Sequence, residues 1–158
     1  MKCSILFLVL IATLLLASCA TPYQPKGFAG GFSETQLSEN VFRVTFTANG
    51  YSSRERAEDF ALLRSADLAL DHGFTHFAIV DGRQDTDYGV YTTPTQTQTT
   101  GWATGFPRTT TTGGQSFMVR KPSATNTVVL LSGNPEGVPF IYDALFIRDT
   151  LASKYELQ

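Results

Sequence analysis

The stretch from Val41 to His72 decides the fold, and it reads VFRVTFTANGYSSRERAEDFALLRSADLALDH. Its first eight residues, 41–48, alternate apolar and polar side chains, which is the pattern of a strand with one buried face. Asn49-Gly50 then supplies residues that favour a tight turn. Ser52 and Glu55 have the spacing of a capping box, so a helix is predicted to begin there.

Helical periodicity continues to about His72, and Gly73 is predicted to supply the left-handed C-cap. The recurring apolar positions are Ala57, Phe60, Ala61, Leu63, Ala66, Leu68 and Leu70. Residues 76–80 are then apolar on both faces, which predicts an interior strand ended by Asp81-Gly82. Strand, helix and strand in this order predict a βαβ-like unit with a right-handed crossover.

A low-complexity segment follows at about 83–114, dominated by Thr, Gln and Gly. Its apolar content is too low to offset the entropy of ordering, so a mobile loop or an extended excursion is predicted. Trp102 and Phe106 are the exceptions, and they can pin the middle of the loop to the domain or to a partner.

Strand-like patterns return at 116–120 and 127–131, separated by Pro122 and Asn126, and we predict that they pair as a hairpin. Residues 142–155 have a less regular apolar face that indicates a second helix. The predicted fold class is therefore α+β, with one small sheet of about four strands. A long helix and a C-terminal helix cover this sheet, and a long Thr-rich loop interrupts the domain.

The N-terminus has the three parts of a secretion signal. Lys2 is basic, residues 5–16 are almost entirely apolar, and the small residues Ala17 and Ser18 follow. The apolar run is too short for a comfortable membrane span and has the flanks of a signal peptide. We predict that residues 1–18 are removed.

The sequence Leu16-Ala17-Ser18-Cys19 resembles the lipobox of bacterial lipoproteins, in which a transferase alkylates the cysteine thiol and a peptidase cuts before it. We predict cleavage between Ser18 and Cys19 and lipidation of Cys19. Each buried methylene of an acyl chain contributes about 0.8 kcal/mol to membrane binding. The two or three chains that the resemblance implies would therefore hold the protein on the membrane durably. The alternative is an ordinary signal peptide that leaves Cys19 as a free thiol. Because Cys3 lies in the leader, the mature chain has no intrachain disulfide.

These patterns divide the chain into three parts. In order they are a signal peptide at 1–18, a lipid-anchored tether at 19–40, and a single α+β domain at 41–158 that contains the low-complexity loop at about 83–114. The tether is predicted from a composition rich in Gly, Pro, Ser and Thr. Its aromatic residues Tyr23, Phe28 and Phe32 leave open whether part of it docks on the domain.

The charge balance is close to neutral, with 12 Lys plus Arg against 14 Asp plus Glu. A chain with this balance has no overall electrostatic attraction to nucleic acid or to acidic lipid. We therefore expect no nucleic-acid partner.

Candidate metal ligands are few. His72 and His76 would share one face of a continuous helix, but Gly73 breaks that geometry, so separate positions at a helix end and a strand start are favoured. Three loop carboxylates lack the spacing of an EF-hand, and we interpret them as solvated turn residues. These are Asp81, Asp85 and Asp87. We predict no metal and no cofactor.

Candidate catalytic residues are equally scarce. The sequence has no glycine-flanked nucleophile elbow, and Gly30-Gly31 and Gly113-Gly114 lack the lysine of a phosphate-binding loop. Arg64 lies on the apolar side of the predicted helix, where we expect it to pair with Asp67 or with an acid across the fold. We predict no catalytic residue.

Several segments also match a known pattern. They are Thr21–Pro25, Gly31–Leu37, Phe42–Glu55, Glu58-Asp59-Phe60, Leu62-Leu63-Arg64, Gly73-Phe74 and Phe77–Asp81. Over about residues 19–81 the chain resembles a family of small bacterial lipoproteins named after two Caulobacter proteins, the CC0125/CC1285 family. The resemblance implies a lipid-anchored envelope protein and adds no catalytic residue.

The function predicted is that of a lipid-anchored cell-envelope protein, a non-enzymatic binding or structural module facing the periplasm from the outer membrane. Its partners would be the membrane, through the N-terminal lipid, and an envelope protein or the cell-wall polymer. Outer-membrane sorting is expected because Ala20, and no aspartate, follows Cys19. The alternative is a small periplasmic hydrolase or ligand-binding enzyme with a dispersed polar site. Its candidate residues are Asp81, Asp85, Arg64 and His76.

Overall fold

The computed structural model describes residues 20–100, 105, 108–135 and 140–157. The strands and helices in these ranges are β1 (Gly31–Ser38), β2 (Val41–Thr47), α1 (Arg54–Asp71), β3 (His76–Thr92), β4 (Gln96–Thr100), β5 (Arg108–Thr112), β6 (Ser116–Leu131), β7 (Ile141–Asp143) and α2 (Ala144–Lys154). Within the described ranges, no helix is long and apolar enough to cross a membrane.

Five strands form one antiparallel sheet in the order β1-β2-β6-β3-β7, and β4 pairs only with β5. The predicted α+β class is confirmed, although the main sheet has five strands where about four were expected. Since β2 and β3 are both antiparallel to β6, they are parallel to each other with β6 between them. The strand-helix-strand unit predicted from sequence is therefore split by a strand from the C-terminal half.

One face of the sheet packs against α1, and this layer contains the core. Phe60 of α1 meets Phe46 of β2 with ring centroids 5.1 Å apart, and both side chains are fully buried. Leu151 of α2 joins the same cluster. Burial of each large apolar side chain contributes about 1.5–3 kcal/mol, so this layer holds α1 against the sheet.

The start of α1 differs in detail from the predicted capping box. Ser53 is the N-cap, and its side chain accepts a hydrogen bond from the Arg56 amide. The side chain of Glu55 pairs with Lys154 of α2 rather than turning back to the cap. The predicted end of the helix is confirmed, since Gly73 has a φ of +78°.

Two strands are much longer than predicted. β3 does not stop at Asp81-Gly82, because a bulge at Val80 shifts the register and pairing with β6 then continues to the end of β3. β6 is one continuous strand, so the predicted hairpin between 116–120 and 127–131 is wrong. Pro122 is tolerated in it because it lies just past the last residue of β6 that pairs with β2.

Much of the predicted loop at 83–114 is extended structure, formed by the end of β3 and by β4 and β5. These strands are almost entirely exposed and rich in threonine, and Thr99 bonds Thr109 across the ribbon at 3.0 Å. Paired backbones satisfy their own hydrogen bonds without an apolar face, so no hydrophobic periodicity marks them. Trp102 and Phe106 lie outside the described residues.

The structure also differs from the tether predicted for 19–40. Residues 31–38 form β1, an edge strand paired along nearly all of β2. The polar middle of this strand, with Glu34, Thr35 and Gln36, is exposed, so it has no alternating apolar pattern. Pairing with β2 therefore determines where β1 lies.

The C-terminal helix is shorter than the predicted 142–155. Residues 141–143 instead form β7 beside β3. The Asp143 side chain accepts a hydrogen bond from the Phe146 amide at 2.8 Å and so caps the helix.

Candidate functional site

The first described residues are bound tightly to the domain. The Thr21 amide donates to Ser52 Oγ at 2.9 Å, and the Thr21 hydroxyl donates to the Ala29 carbonyl at 2.8 Å. The Asn49 amide donates to Thr21 Oγ1 at 2.8 Å, and Arg56 Nε donates to the Thr21 carbonyl at 3.2 Å. Thr21 is fully buried. The chain is therefore fixed to the fold two residues after Cys19.

Tyr23 provides a second attachment. Its ring lies 4.9 Å from that of Phe32 and 5.4 Å from that of Phe60, and its hydroxyl donates a hydrogen bond to the Asp67 carboxylate. Burial, together with the bond to the negatively charged acceptor, raises the pKa of the Tyr23 phenol above its ordinary value. The docking that the sequence left open for these aromatic residues takes place at Tyr23 and Phe32, whereas Phe28 is fully exposed.

Two glycines make this close approach sterically feasible. Gly30 has a φ of +98°, and a Cβ there would lie 2.3 Å from the Thr47 carbonyl oxygen. Gly31 has a φ of +131°, and a Cβ there would lie 2.4 Å from the Gln24 carbonyl oxygen. Gly30 and Gly31 are therefore required for packing of the N-terminal segment against the sheet.

A two-stranded ribbon projects from the same end of the sheet. We name it the β-arm, and it consists of residues 86–92 of β3 and 116–122 of β6, paired over seven positions. β2 ends at Thr47, opposite Ser123, so the β-arm continues alone past that point. At about 3.3 Å per residue its length is about 23 Å.

The β-arm carries large apolar side chains that nothing in the described chain covers. Their exposed fractions run from 49% to 77%. They are Tyr88, Val90, Tyr91, Phe117 and Met118. Since side chains alternate along a strand, Val90 and Met118 form a cross-strand pair on one face, and Tyr91 and Phe117 form one on the other. Exposed apolar side chains grouped in this way on each face of a ribbon are typical of a contact site.

The base of the β-arm adjoins the N-terminal attachment. Thr21 bonds to Asn49, and a Cβ at the neighbouring Gly50 would lie 2.3 Å from the side chain of Val119 in the β-arm. The Ala48 amide donates to the Pro122 carbonyl at 2.9 Å. The point where the chain enters the domain and the point where the β-arm leaves it are therefore side by side.

This junction is locally basic. A cleft of about 340 Å³ is lined by Gly50, Ser52, Arg54, Thr86, Arg120 and Pro122. No carboxylate lines this cleft, and neither Arg54 nor Arg120 is in an ion pair with another described residue. The exposed Lys121 follows directly, opposite Asp87 of β3.

The sheet face opposite α1 is polar. Thr45 and Thr125 occupy facing positions on β2 and β6, and their hydroxyls are 3.0 Å apart. The same face continues through Ser33 of β1 and to Arg83 of β3. Its hydroxyls both donate and accept hydrogen bonds, so the face is suited to a polar partner.

A groove of about 390 Å³ lies between α1 and β3, and Glu58, Gln84 and Asn126 contribute polar groups to it. Asp59 at its edge accepts hydrogen bonds from Lys154 Nζ at 2.8 Å and from the Tyr155 hydroxyl at 2.7 Å. Burial and the bond to Asp59 raise the pKa of Tyr155 to about 12. These contacts tie α2 to α1.

The histidines and carboxylates singled out in the sequence lie apart. The His72 ring packs against Phe42 at 4.9 Å, while His76 Nδ1 lies 2.8 Å from the Thr75 hydroxyl. Asp81 pairs with Arg83 at 3.3 Å. Across the described ranges, no three His, Cys, Asp or Glu side chains are grouped so that they can hold a metal ion.

Arg64 pairs with an acid across the fold, as predicted, although not with Asp67. Its guanidinium lies 3.0 Å from Glu34 of β1, 3.6 Å from Asp71 and 4.7 Å from the centre of the Phe32 ring. β2 and β6 separate β1 from β3, so Arg64 lies far from Asp81. The residues of the dispersed polar site therefore do not converge.

Some predictions lie outside the described residues, among them the cleavage position after Ser18 and the lipidation of Cys19. The burial of Thr21 and the pairing that forms the β-arm were not predicted from sequence, whereas residues 116–120 were predicted as a strand and docking of Tyr23 was left open. In the other strand of the β-arm, the alternation of Tyr88 and Val90 was a local signal that the surrounding Thr and Asp residues obscured. Comparison of the chain with protein-family models, curated proteins and solved structures gave no match.

Proposed function

We propose that this chain is a lipid-anchored cell-envelope protein whose domain is a non-enzymatic binding or structural module facing the periplasm from the outer membrane. The anchor is proposed at Cys19, on the basis of the Leu16-Ala17-Ser18-Cys19 sequence. Membership of the CC0125/CC1285 family, which the sequence resembles, belongs to the same proposal.

The observation that carries this proposal is the burial of Thr21. An extended chain spans at most about 3.6 Å per residue, so a lipid on Cys19 would be within about 7 Å of Thr21. Such an anchor holds the domain directly at the membrane, with no long spacer between them. A short attachment suits a module that acts on another envelope component close to the membrane.

The polar sheet face around Thr45 and Thr125 is the surface that we assign to that partner. Its hydroxyls and flanking charges suit a hydrogen-bonding ligand, either the cell-wall polymer or a polar protein surface. The helices cover the other side of the sheet, so the two sides have different roles.

Labelling with a fatty acid in growing cells tests the anchor. Cys19→Ser is expected to abolish incorporation of label, and Cys3→Ser in the leader is the matched control that keeps it. Incorporation into the Cys19→Ser protein would contradict the anchor.

A photo-crosslinking residue at Thr45, compared with one at the exposed Ser153 of α2, tests the binding face in intact cells. The expected result is a defined adduct with a wall fragment or an envelope protein at position 45 only. Equal yields at the two positions would contradict the assignment of that face.

A further inference from the structure

The β-arm starts where the chain enters the domain. Thr21 lies beside Asn49, the adjacent Gly50 packs against Val119, and β6 and β3 run on from there for seven residue pairs. If Cys19 carries a lipid, the bilayer surface is within about 7 Å of Thr21. A ribbon about 23 Å long that leaves the domain at this point starts next to the anchor and is long enough to lie along the membrane surface.

We propose that the β-arm lies on the bilayer with the face that carries Tyr88, Val90 and Met118 in contact with phospholipid. This inference rests on the proposed anchor at Cys19. It identifies a second membrane contact, made by protein side chains, which fixes how the domain is tilted.

The side chains of the β-arm have the chemistry of a membrane interface. Tyr88, Val90 and Met118 share one face of the β-arm. Tyr88 combines an apolar ring with a polar hydroxyl, and tyrosine is enriched at the level of lipid headgroups. Val90 and Met118 add apolar area that transfers favourably from water to the acyl boundary. At 77% exposed, Met118 has no cover in the described part of the protein.

The charges at the base of the β-arm agree with contact to phospholipid. Arg120 and Lys121 belong to the β-arm, and Arg54 lines the same cleft as Arg120. Basic side chains next to apolar interfacial residues attract phospholipid phosphates. The nearby acids are Asp87, which faces Lys121 across the ribbon, Asp85, which lies on the same face as Lys121 and opposite to that of Arg120, and Glu55, which is paired with Lys154. The overall negative charge of the chain conceals this local positive surface.

The backbone limits how deeply the β-arm can enter the bilayer. A two-stranded ribbon has free amides and carbonyls along both edges, and such groups are not tolerated in the hydrocarbon region. β4 and β5, beyond the β-arm, are built from Thr, Gln and Arg, which are also polar. The β-arm is therefore expected to rest at the headgroup level without crossing the bilayer.

The test uses the full chain, processed in cells, purified and reconstituted into vesicles of phosphatidylethanolamine and phosphatidylglycerol. Single cysteines replace Val90, Met118 or Leu37, and each carries an environment-sensitive dye. Leu37 is the matched control, because it is an exposed apolar residue of β1 at the end of the sheet away from Thr21. Nitroxide groups on the lipid headgroups report contact by quenching.

The expected result is loss of dye emission at positions 90 and 118 and no loss at position 37. Wild-type protein should float with the vesicles and take up no dye, since Cys19 would be alkylated. Flotation without quenching at 90 and 118 overturns the inference and leaves the anchor intact. Crosslinking of two copies through position 90 without quenching also overturns it, in favour of self-association. Wild-type protein that does not float overturns the anchor and this inference together.

Discussion

The phenolic hydroxyl of Tyr23 donates a hydrogen bond to the carboxylate of Asp67, 44 positions further along the chain. This bond joins the segment next to the proposed lipid anchor to the middle of α1. The other oxygen of Asp67 lies 3.7 Å from Arg148 of α2, so this carboxylate of α1 contacts two other parts of the fold. The N-terminal segment is thus part of the domain and does not act as a spacer.

Tyr23→Phe removes only the hydroxyl and leaves the ring packing in place. A hydrogen bond to a charged group contributes about 1.5–3 kcal/mol, so we expect the free energy of unfolding to fall by about that amount. Tyr51→Phe is the matched control, because Tyr51 is 79% exposed, and its effect should stay within about 0.5 kcal/mol. Urea unfolding measures both. Equal losses for the two variants would contradict the role given to the Tyr23 hydroxyl.

Gly30→Ala is expected to be strongly destabilising. The new Cβ would lie 2.3 Å from the Thr47 carbonyl oxygen at a φ of +98°, so a loss of about 2 kcal/mol or more is expected. Gly27→Ala in the same turn is the control, since a Cβ there meets nothing within 4 Å. Thermal unfolding of the two variants measures the difference in their stability. A Gly30→Ala protein as stable as Gly27→Ala would show that the N-terminal segment is not packed as described.

Residues 93–115 can be replaced by Asn-Gly with little effect on stability. Thr92 and Ser116 face each other across the ribbon, so a two-residue turn closes it, and β4 and β5 pair only with each other. The expected change is within about 1 kcal/mol. A loss of more than about 2 kcal/mol in chemical unfolding would instead show that Trp102 or Phe106 contributes to the core.

Tyr155 is expected to contribute to a fall in stability in alkaline solution. Its pKa is raised from 10.0 to about 12 in the folded protein, by burial first and then by the hydrogen bond to Asp59. A raised folded pKa contributes stability that is fully present below the unfolded value of 10.0 and is lost as the pH rises towards about 12. The urea midpoint, measured at a series of pH values from about 9 upward, follows this loss, because an ordinary tyrosine ionises at about pH 10. Tyr155→Phe should flatten the decline in part, since Tyr23, whose pKa is also raised, still contributes, and an unchanged decline would contradict this assignment.

Ala20→Asp should change the sorting of the protein in a host with two membranes. Aspartate directly after the acylated cysteine commonly signals retention in the inner membrane for lipoproteins that this chain resembles. Ala20→Asn is the uncharged control and should leave the protein in the outer membrane. Separation of the two membranes on a density gradient gives the answer. Unmodified protein found mainly in the inner-membrane fraction would contradict the outer-membrane proposal.

The local sequence pattern was sufficient to predict the elements that have one buried face. In β2 the alternation of Phe42, Val44 and Phe46 predicted a strand, and all three side chains are buried. The three-to-four spacing of apolar residues predicted α1 and its end at Gly73. The sequence also contains the leader and the lipobox pattern, which are linear motifs and require no fold.

Only the tertiary structure decided the places where exposed or isolated residues find distant partners. β1 and residues 86–92 of the β-arm are largely polar or exposed on both faces, so their pairing produces no clear apolar periodicity within either strand. Thr21 is buried by contacts with Ser52 and Arg56, 31 and 35 positions away, and no local rule predicts such contacts. The sequence by itself thus determined the helices and strands in which buried residues recur at a regular spacing. Long-range pairing decided where the N-terminus and the β-arm meet, because burial there comes from parts of the chain far apart in sequence.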